Sequence, residues 1–226
     1  FNFFLHSIWH NNIYGISYKI GTKVRKLFFI IFLIQFNFIQ SDYSLHPRAD
    51  FVVNELVNSH GFEEEQVLDV LKNAKKQQTI IDRISAPAEF TITWDAYRNI
   101  FIEDKRIKNG KKFIENNLPT LKKAEEEFGV PKEIITAILG VETRYGNIQG
   151  KDRVLDSLTT LGFDYPRRAE FFRNELIKFF ILTRENNLDI YGVKGSYAGA
   201  MGYGQFISSS YLAYAIDYDG DSYADL

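Results

Sequence analysis

Apolar residues recur at helical spacing along most of the chain from residue 49 onward. Amphipathic helices are predicted at residues 49–59 and 63–76, and the second begins with glutamates and ends with lysines, as the helix dipole favours. A long polar helix is predicted over residues 103–128, with an interruption near Asn109 and Gly110. A long helix with an apolar core face is predicted from Pro166 to about residue 186. We therefore predict a mainly α-helical fold.

Residues 130–146 differ, because their helix is predicted to be apolar on nearly every side. Pro131 stands where a first-turn proline is tolerated, and Gly146 follows as a stop signal. A helix of this kind is expected in a core; its apolar residues are Ile134, Ile135, Ile138, Leu139 and Val141. Glu142 lies at its end, where burial would desolvate the carboxyl and suit it to donate a proton. The alternative is a solvated or salt-bridged surface glutamate.

Composition excludes several kinds of chemistry. The chain has no cysteine, which removes disulfides, thiol catalysis, thiolate metal sites and a lipidated N-terminal cysteine. All four histidines fall within the first 60 residues, so a histidine-based triad or zinc site is not expected later in the chain. From residue 41 onward there are 23 basic against 29 acidic residues. No basic cluster follows a groove, and we expect no binding of nucleic acid.

Residues 1–40 resemble an upstream and signal-like segment. Lys23, Arg25 and Lys26 precede an apolar run, residues 27–39, that is short for a membrane span of about 20 residues. The run lacks a small-x-small cleavage pattern before Gln40. We predict that translation starts near residue 24 and that the protein is exported to the periplasm. The alternative is an uncleaved amphipathic or membrane anchor.

Three motifs occur in order in the second half of the chain. They are VETRYG at residues 141–146, YPRRAE at 165–170 and KGSYAGAMGYGQF at 194–206. Together they resemble the B-type lytic murein transglycosylases, and the resemblance runs from about residue 49 to the end. It implies a lysozyme-like α+β catalytic core at residues 129–226, incomplete at its C-terminus. A helical N-terminal part, residues 41–128, would flank the cleft.

The resemblance implies that Glu142 is the single general acid and base. It would protonate the glycosidic oxygen between N-acetylmuramic acid and N-acetylglucosamine, and then deprotonate the muramic C6 hydroxyl, which attacks C1 and forms a 1,6-anhydro sugar. A hydrolytic muramidase remains an alternative and would need a second carboxylate; the candidates are Asp152, Asp156, Asp164 and Glu170. A catalytically silent peptidoglycan-binding protein is the third possibility.

The resemblance also implies that Ser196 and Gln205 contact the substrate. Both adjoin a glycine-rich segment, residues 192–204, whose five glycines would let the backbone approach a sugar closely. The alternative is a tight structural turn. Tyr203 in the same segment could stack on a sugar ring or belong to the core.

Three further residues are candidates for substrate binding. Arg167 and Arg168 would bind the acidic peptide stem or the lactyl group, since arginine suits carboxylates. Alternatively they form a salt bridge with Glu170 or Asp164. Tyr97 matches a cleft tyrosine of the family.

The chain ends in an acidic loop that resembles an EF-hand. Asp217, Asp219, Asp221 and Asp225 stand at loop positions 1, 3, 5 and 9, and Tyr223 would offer its carbonyl at position 7. These hard oxygen ligands favour a structural Ca²⁺. Position 6 is serine in place of the usual glycine, and the twelfth position lies beyond residue 226. The alternative is an acidic surface turn. No cofactor is expected for catalysis, and the expected partner of a monomeric protein is the peptidoglycan glycan strand.

Overall fold

A computed structural model describes residues 42–86 and 92–226, and the signal-like segment predicted at residues 1–40 lies outside them. Residues 41–226 form one compact unit. The helices are α1 (Ala49–His60), α2 (Glu64–Asn73), α3 (Gln78–Ser85), α4 (Trp94–Phe101), α5 (Asp104–Asn116), α6 (Leu118–Phe128), α7 (Lys132–Thr143), α8 (Val154–Asp164), α9 (Ala169–Glu185) and α10 (Ser208–Tyr214). Short 3₁₀ turns lie at Tyr43–Leu45 and Pro166–Arg168.

Helices α8 and α9 form the centre of the hydrophobic core. They pack along each other, with α1 and α10 against α9 and α3 against α8. The largest fully buried side chains of the pair are Leu155, Leu158, Leu161, Phe172, Leu176, Phe179 and Leu182. Even the polar residues of α8 are buried, and partners satisfy them: Asp156 accepts a hydrogen bond from the Lys75 N–H, and Thr160 accepts one from the Gln77 N–H.

The first helices share this core with the end of the chain. The Tyr43 hydroxyl donates to Asp164 at 2.6 Å, and the Arg184 guanidinium donates to the His60 carbonyl at 2.7 Å. Residues 42–86 therefore pack with residues 150–226, although the chain between them is long. The predicted division of the chain at residue 128 stays a prediction.

Helices α5 to α7 form a second layer, in which α7 packs mainly against α5 and α6. The predicted interruption near Asn109 and Gly110 is wrong, since α5 runs through both and the break falls at Asn117. Gly110 instead allows the Tyr145 ring to pack against α5. A Cβ there would lie 2.7 Å from the Tyr145 hydroxyl, so glycine leaves room for that ring inside a continuous helix.

The prediction that α7 is a core helix is also wrong. Its buried residues are Thr136, Gly140 and Thr143, which are small or polar. Its apolar residues Ile134, Ile138 and Val141 are 51%, 52% and 48% exposed. The described neighbours thus fully bury only small or polar residues of the helix, and they leave three of its apolar residues about half exposed.

A small antiparallel pairing connects the chain before α8 to the glycine-rich segment. Strand β1 (Asp152–Arg153) pairs with β2 (Lys194–Gly195), and isolated bridges continue from Gly195 to Met201 and from Met201 to Phe206. This pairing fixes the glycine-rich segment next to the chain that leaves α7. Within residues 42–86 and 92–226, no helix has both the length and the apolarity that crossing a membrane requires.

Candidate active site

Glu142 lies in the last turn of α7, and its side chain is exposed. The expectation that its own helix desolvates it is therefore wrong for the described residues, because α7 is open on that side. The chain leaves the helix through three consecutive residues in the left-handed region, with φ of 52° at Arg144, 63° at Tyr145 and 82° at Gly146. Left-handed backbone is unfavourable for residues with a Cβ, so specific contacts must hold this turn.

Tyr145 supplies one set of those contacts. Its ring lies between α5 and α7, where Gly110 and Gly140 leave space for it. Its hydroxyl donates to the Arg106 carbonyl at 2.8 Å, and its ring stacks on Phe113 at a centroid distance of 5.6 Å. Burial raises the pKa of Tyr145, and the nearby Arg106 guanidinium opposes that shift. The ring thus fixes α5 against the helix that carries Glu142.

Thr143 supplies a second set. It is fully buried, and its Oγ1 accepts a hydrogen bond from the Gly146 N–H at 2.9 Å. The same oxygen lies 3.2 Å from the Leu139 carbonyl and 3.1 Å from the Tyr203 carbonyl. The contact with Tyr203 connects the end of α7 to the glycine-rich segment.

Close backbone approaches complete this connection. A Cβ on Gly146 would lie 2.1 Å from the Tyr203 ring, and a Cβ on Gly150 would lie 2.0 Å from the Gly195 backbone. Glycine is required at these positions because one part of the protein lies directly against another. Gly199 similarly lies against Leu158 of the core.

Ser196 and Gln205 hold the shape of the glycine-rich segment. The Ser196 hydroxyl accepts from the N–H groups of Ala198 and Ala200 at 3.3 and 3.0 Å, and these bonds leave its own proton available. The Gln205 amide donates to the Gln149 carbonyl at 3.2 Å, which brings it beside the chain that follows Glu142. Tyr203 packs on Gly146 and remains 44% exposed.

The two arginines lie in the 3₁₀ turn before α9, and Tyr97 lies in α4. Arg167 and Arg168 are exposed in the 3₁₀ turn, and neither forms an ion pair with Glu170 or Asp164 within the described part of the chain. Arg168 lies over the Phe171 ring at 4.1 Å. Half-buried Tyr97 stacks on Trp94 and makes a tilted ring contact with Phe101 within α4. No hydrogen bond or ion pair between described residues links these three candidates to Glu142.

Most of the candidate second carboxylates have structural partners. Asp152 pairs with Arg83 at 2.8 Å, and Asp164 pairs with Lys76 at 2.7 Å. Asp156 is buried and pairs with Arg153. Glu170 is exposed in the first turn of α9.

Sequence reasoning missed Thr143, Tyr145 and Glu103 as parts of this site. Glu103 lies 3.6 Å from the Arg144 guanidinium and 3.9 Å from that of Arg106, so it links α5 to the turn after Glu142. Glycines inside helical patterns, at positions 110 and 140, were the available signal for the Tyr145 contact.

The acidic loop brings three predicted ligands together. One carboxylate oxygen from each of Asp217, Asp219 and Asp221 lies within 4.8 Å of the others, and all three residues are exposed. Desolvation acts to raise the pKa of Asp217, but hydrogen bonds from the backbone of Gly220, Ser222 and Asp221 outweigh it and lower the pKa. Ser222 adopts φ of 78°, the left-handed conformation that a glycine would take at this position. The ligand type and spacing fit a hard cation.

The fold is mainly helical and of the lysozyme-like class, and in it Glu142 lies at the end of a helix beside the glycine-rich segment. The chain belongs to the Transglycosylase SLT domain family, whose model matches residues 46–226.

Related proteins cover most of the chain. It is 41% identical over 194 residues to membrane-bound lytic murein transglycosylase B of Escherichia coli (strain K12), a match that covers 82% of this chain and 54% of that protein. The soluble lytic transglycosylase SltB1 from Pseudomonas aeruginosa is 48% identical with a TM-score of 0.75, over 78% of this chain and 60% of that one. Escherichia coli Slt35 in complex with calcium is 41% identical with a TM-score of 0.77, over 85% and 62%. The chain therefore spans less than two thirds of the length of these relatives.

Proposed function

We propose that the protein is a peptidoglycan lytic transglycosylase that cleaves the β-1,4 bond between N-acetylmuramic acid and N-acetylglucosamine, with Glu142 as its single general acid and base. Membership of the Transglycosylase SLT domain family carries the proposal. The position of Glu142 supports it, because the carboxyl is exposed at a helix end that is tied to the glycine-rich segment.

Glu142 first donates its proton to the glycosidic oxygen as the bond to the muramic C1 breaks. Its carboxylate then takes the proton of the muramic C6 hydroxyl, whose oxygen attacks C1 and closes the 1,6-anhydro ring. The N-acetylglucosamine side leaves with the donated proton, so protons balance and no water is consumed. The attack is intramolecular, which gives the C6 hydroxyl a large effective concentration over water.

The surroundings favour this route over hydrolysis. A hydrolytic muramidase needs a second carboxylate free to act. Asp152, Asp156 and Asp164 are each held by a basic side chain, which argues for structural roles. Glu170, which is exposed in the first turn of α9, is the remaining one of the four candidates.

Several side chains keep hydrogen-bonding groups or exposed ring surface with which they could contact a substrate. Ser196 keeps a hydroxyl proton to donate, Gln205 keeps its amide oxygen, and Tyr203 keeps an exposed part of its ring. We assign these three to sugar binding. Arg167 and Arg168 are exposed cations that suit the carboxylates of a peptide stem, and Tyr97 would line the far side of the cleft.

The acidic loop would hold a structural Ca²⁺ through Asp217, Asp219, Asp221, the Tyr223 carbonyl and Asp225. The clustered carboxylates support this assignment, and the related Slt35 structure holds calcium. We further propose a monomeric protein that acts in the periplasm on glycan strands, with residues 41–128 flanking a catalytic core at 129–226.

Digestion of purified peptidoglycan sacculi tests the function directly. The full-length protein should release muropeptides with 1,6-anhydro ends, and Glu142→Gln should lower the rate by a factor of about 10² to 10⁴ or more. The variant should keep its melting temperature, because the side chain is exposed. Reducing ends in place of anhydro ends would mean a muramidase. Binding without cleavage, unchanged by the substitution, would mean a silent peptidoglycan-binding protein.

A further inference from the structure

We propose that Thr143 is a positioning residue of the active site, an inference that rests on the proposed function. Its buried hydroxyl joins the helix end that carries Glu142 to the glycine-rich segment that carries Ser196 and Tyr203. The hydroxyl touches no reacting atom and acts through the placement of Glu142.

The Thr143 hydroxyl can accept one hydrogen bond and donate another at the same time. A hydroxyl has one proton to donate and can accept at its lone pairs. Here it accepts from the Gly146 N–H and lies within donating distance of two carbonyls, those of Leu139 and Tyr203. When it donates to Tyr203, one oxygen atom connects the turn after Glu142 with the glycine-rich segment.

The turn after Glu142 is also held by the Tyr145 hydroxyl, by the pairing of Glu103 with Arg144 and by the bond from Gln205 to the Gln149 carbonyl. Three successive left-handed residues follow Thr143, and such backbone persists only where the surroundings determine it. The apolar side of α7 is open within the described residues, so no neighbour holds the helix from that direction. Packing of Tyr203 on Gly146 supplies contact area there. The hydrogen bonds of the Thr143 hydroxyl fix how the two segments are oriented, because a hydrogen bond weakens as it departs from linearity.

The same helix offers a matched control. Thr136 lies two turns earlier on the same buried side of α7, and it is 3% exposed. Among residues 42–86 and 92–226, its hydroxyl has no hydrogen-bond partner. Thr136→Val therefore removes the same atom from the same helix without breaking a hydrogen bond, whereas Thr143→Val leaves the Gly146 N–H without its acceptor.

The test compares Thr143→Val, Thr143→Ser and Thr136→Val in the full-length protein. On sacculi we expect Thr143→Val to lower kcat by about 10- to 100-fold, the size of effect that a displacement of about 1 Å produces. Binding of a non-cleaved saccharide should change less than about threefold. Thr143→Ser keeps the hydroxyl and should restore most of the rate, and Thr136→Val should behave as wild type.

Amide hydrogen exchange provides a readout that does not depend on turnover. Thr143→Val should accelerate exchange in peptides covering both residues 143–149 and 202–206, and Thr136→Val should accelerate neither. Exchange unchanged in residues 202–206 would overturn the proposal. So would a Thr143→Ser variant as slow as Thr143→Val, or losses of kcat, binding and melting temperature in parallel.

Failure of the proposed function would look different. In that case wild type and Glu142→Gln would release the same products or none, whatever stands at position 143. Coupled exchange in the two segments would then still support the link made by Thr143, and its absence would still refute it. A wild-type rate for Thr143→Val, together with an inactive Glu142→Gln, would reject the positioning role and keep the enzyme.

Discussion

Helices α7 and α8 are similar in length and apolar content, yet they stand in opposite surroundings. In α8, every residue from Val154 to Phe163 is buried, including an aspartate, a serine and two threonines. In α7, isoleucines are half exposed while two threonines are buried. Burial is therefore decided by what packs around a helix. The apolar pattern alone shows only which surface would gain from being covered.

The largest difference in the free energy of unfolding is expected from truncating one large apolar side chain to alanine in each of the two helices. Leu161→Ala in α8 removes a fully buried side chain and should lower the free energy of unfolding by about 2–5 kcal/mol. Ile138→Ala in α7 should change it by no more than about 0.5 kcal/mol, because the side chain is half exposed. Urea denaturation of both variants measures the difference.

An equal loss of unfolding free energy in the two variants would contradict the expected difference between α7 and α8. It would mean that the apolar side of α7 is covered in the folded protein. Leu155→Ala provides a second fully buried truncation in α8, to check that the loss at position 161 is not special to one site.

A Ca²⁺-dependent effect of intermediate size is expected in the second layer. The acidic loop contacts both the second layer and the hydrophobic core. Lys123 of α6 lies over the Tyr218 ring at 4.5 Å, and the Ala224 N–H donates to Asn186 at the end of α9. Bound Ca²⁺ should therefore stabilise the contact between α6 and the core. At about 100 times the dissociation constant, binding contributes about 2.7 kcal/mol.

Thermal melting and amide exchange with and without added Ca²⁺ check this expectation. Protection should rise in α6 and α7 more than in α8, which already has neighbours on all sides. Asp217→Asn should abolish the change, and Asp189→Asn, an exposed aspartate outside the loop, should leave it intact. Equal protection in all three helices would show that the ion does not act between the two regions.

A smaller loss of stability is expected where α5 meets α7. Gly110→Ala would place a Cβ 2.7 Å from the Tyr145 hydroxyl, so it should destabilise by about 1–2 kcal/mol through overpacking, despite the better helix propensity of alanine. Tyr145→Phe removes the atom that clashes. In a double-mutant cycle, Gly110→Ala should become nearly neutral in the Tyr145→Phe background. Additive losses would mean that the two residues are not in contact.

Gly110 also shows where sequence reasoning reached its limit. Local patterns located most helices. The helix predicted from Pro166 begins as a 3₁₀ turn and continues as α9 (Ala169–Glu185). Glycine was interpreted as a helix breaker, because the ring that requires it comes from Tyr145, distant in sequence. The order of three motifs identified the family, which the family match confirms. The exposure of α7 and the hydrogen bonds of Thr143 depend on non-local contacts that no periodicity records.

The smallest expected effect is a pH dependence confined to the well-packed region. His46 lies against the Phe163 ring of α8 at a centroid distance of 4.7 Å. Burial lowers its pKa below the ordinary value, Asp164 opposes the shift, and the positive charges of Arg48, Arg173 and Lys76 add to it. The unfolded chain then binds a proton more readily than the folded one, so His46 destabilises the fold as the pH drops from about 6.5 through the lower folded pKa.

Urea denaturation at intervals between pH 7.5 and pH 5 measures this term. His46→Gln should make the fall in stability shallower between about pH 6.5 and the lower pKa of the folded histidine. The difference should be absent above pH 7.5, where the histidine is neutral in both states. A steeper fall in the variant would mean that Asp164 dominates and that protonated His46 stabilises the end of α8. The two regions would then differ in their charges as well as in their packing.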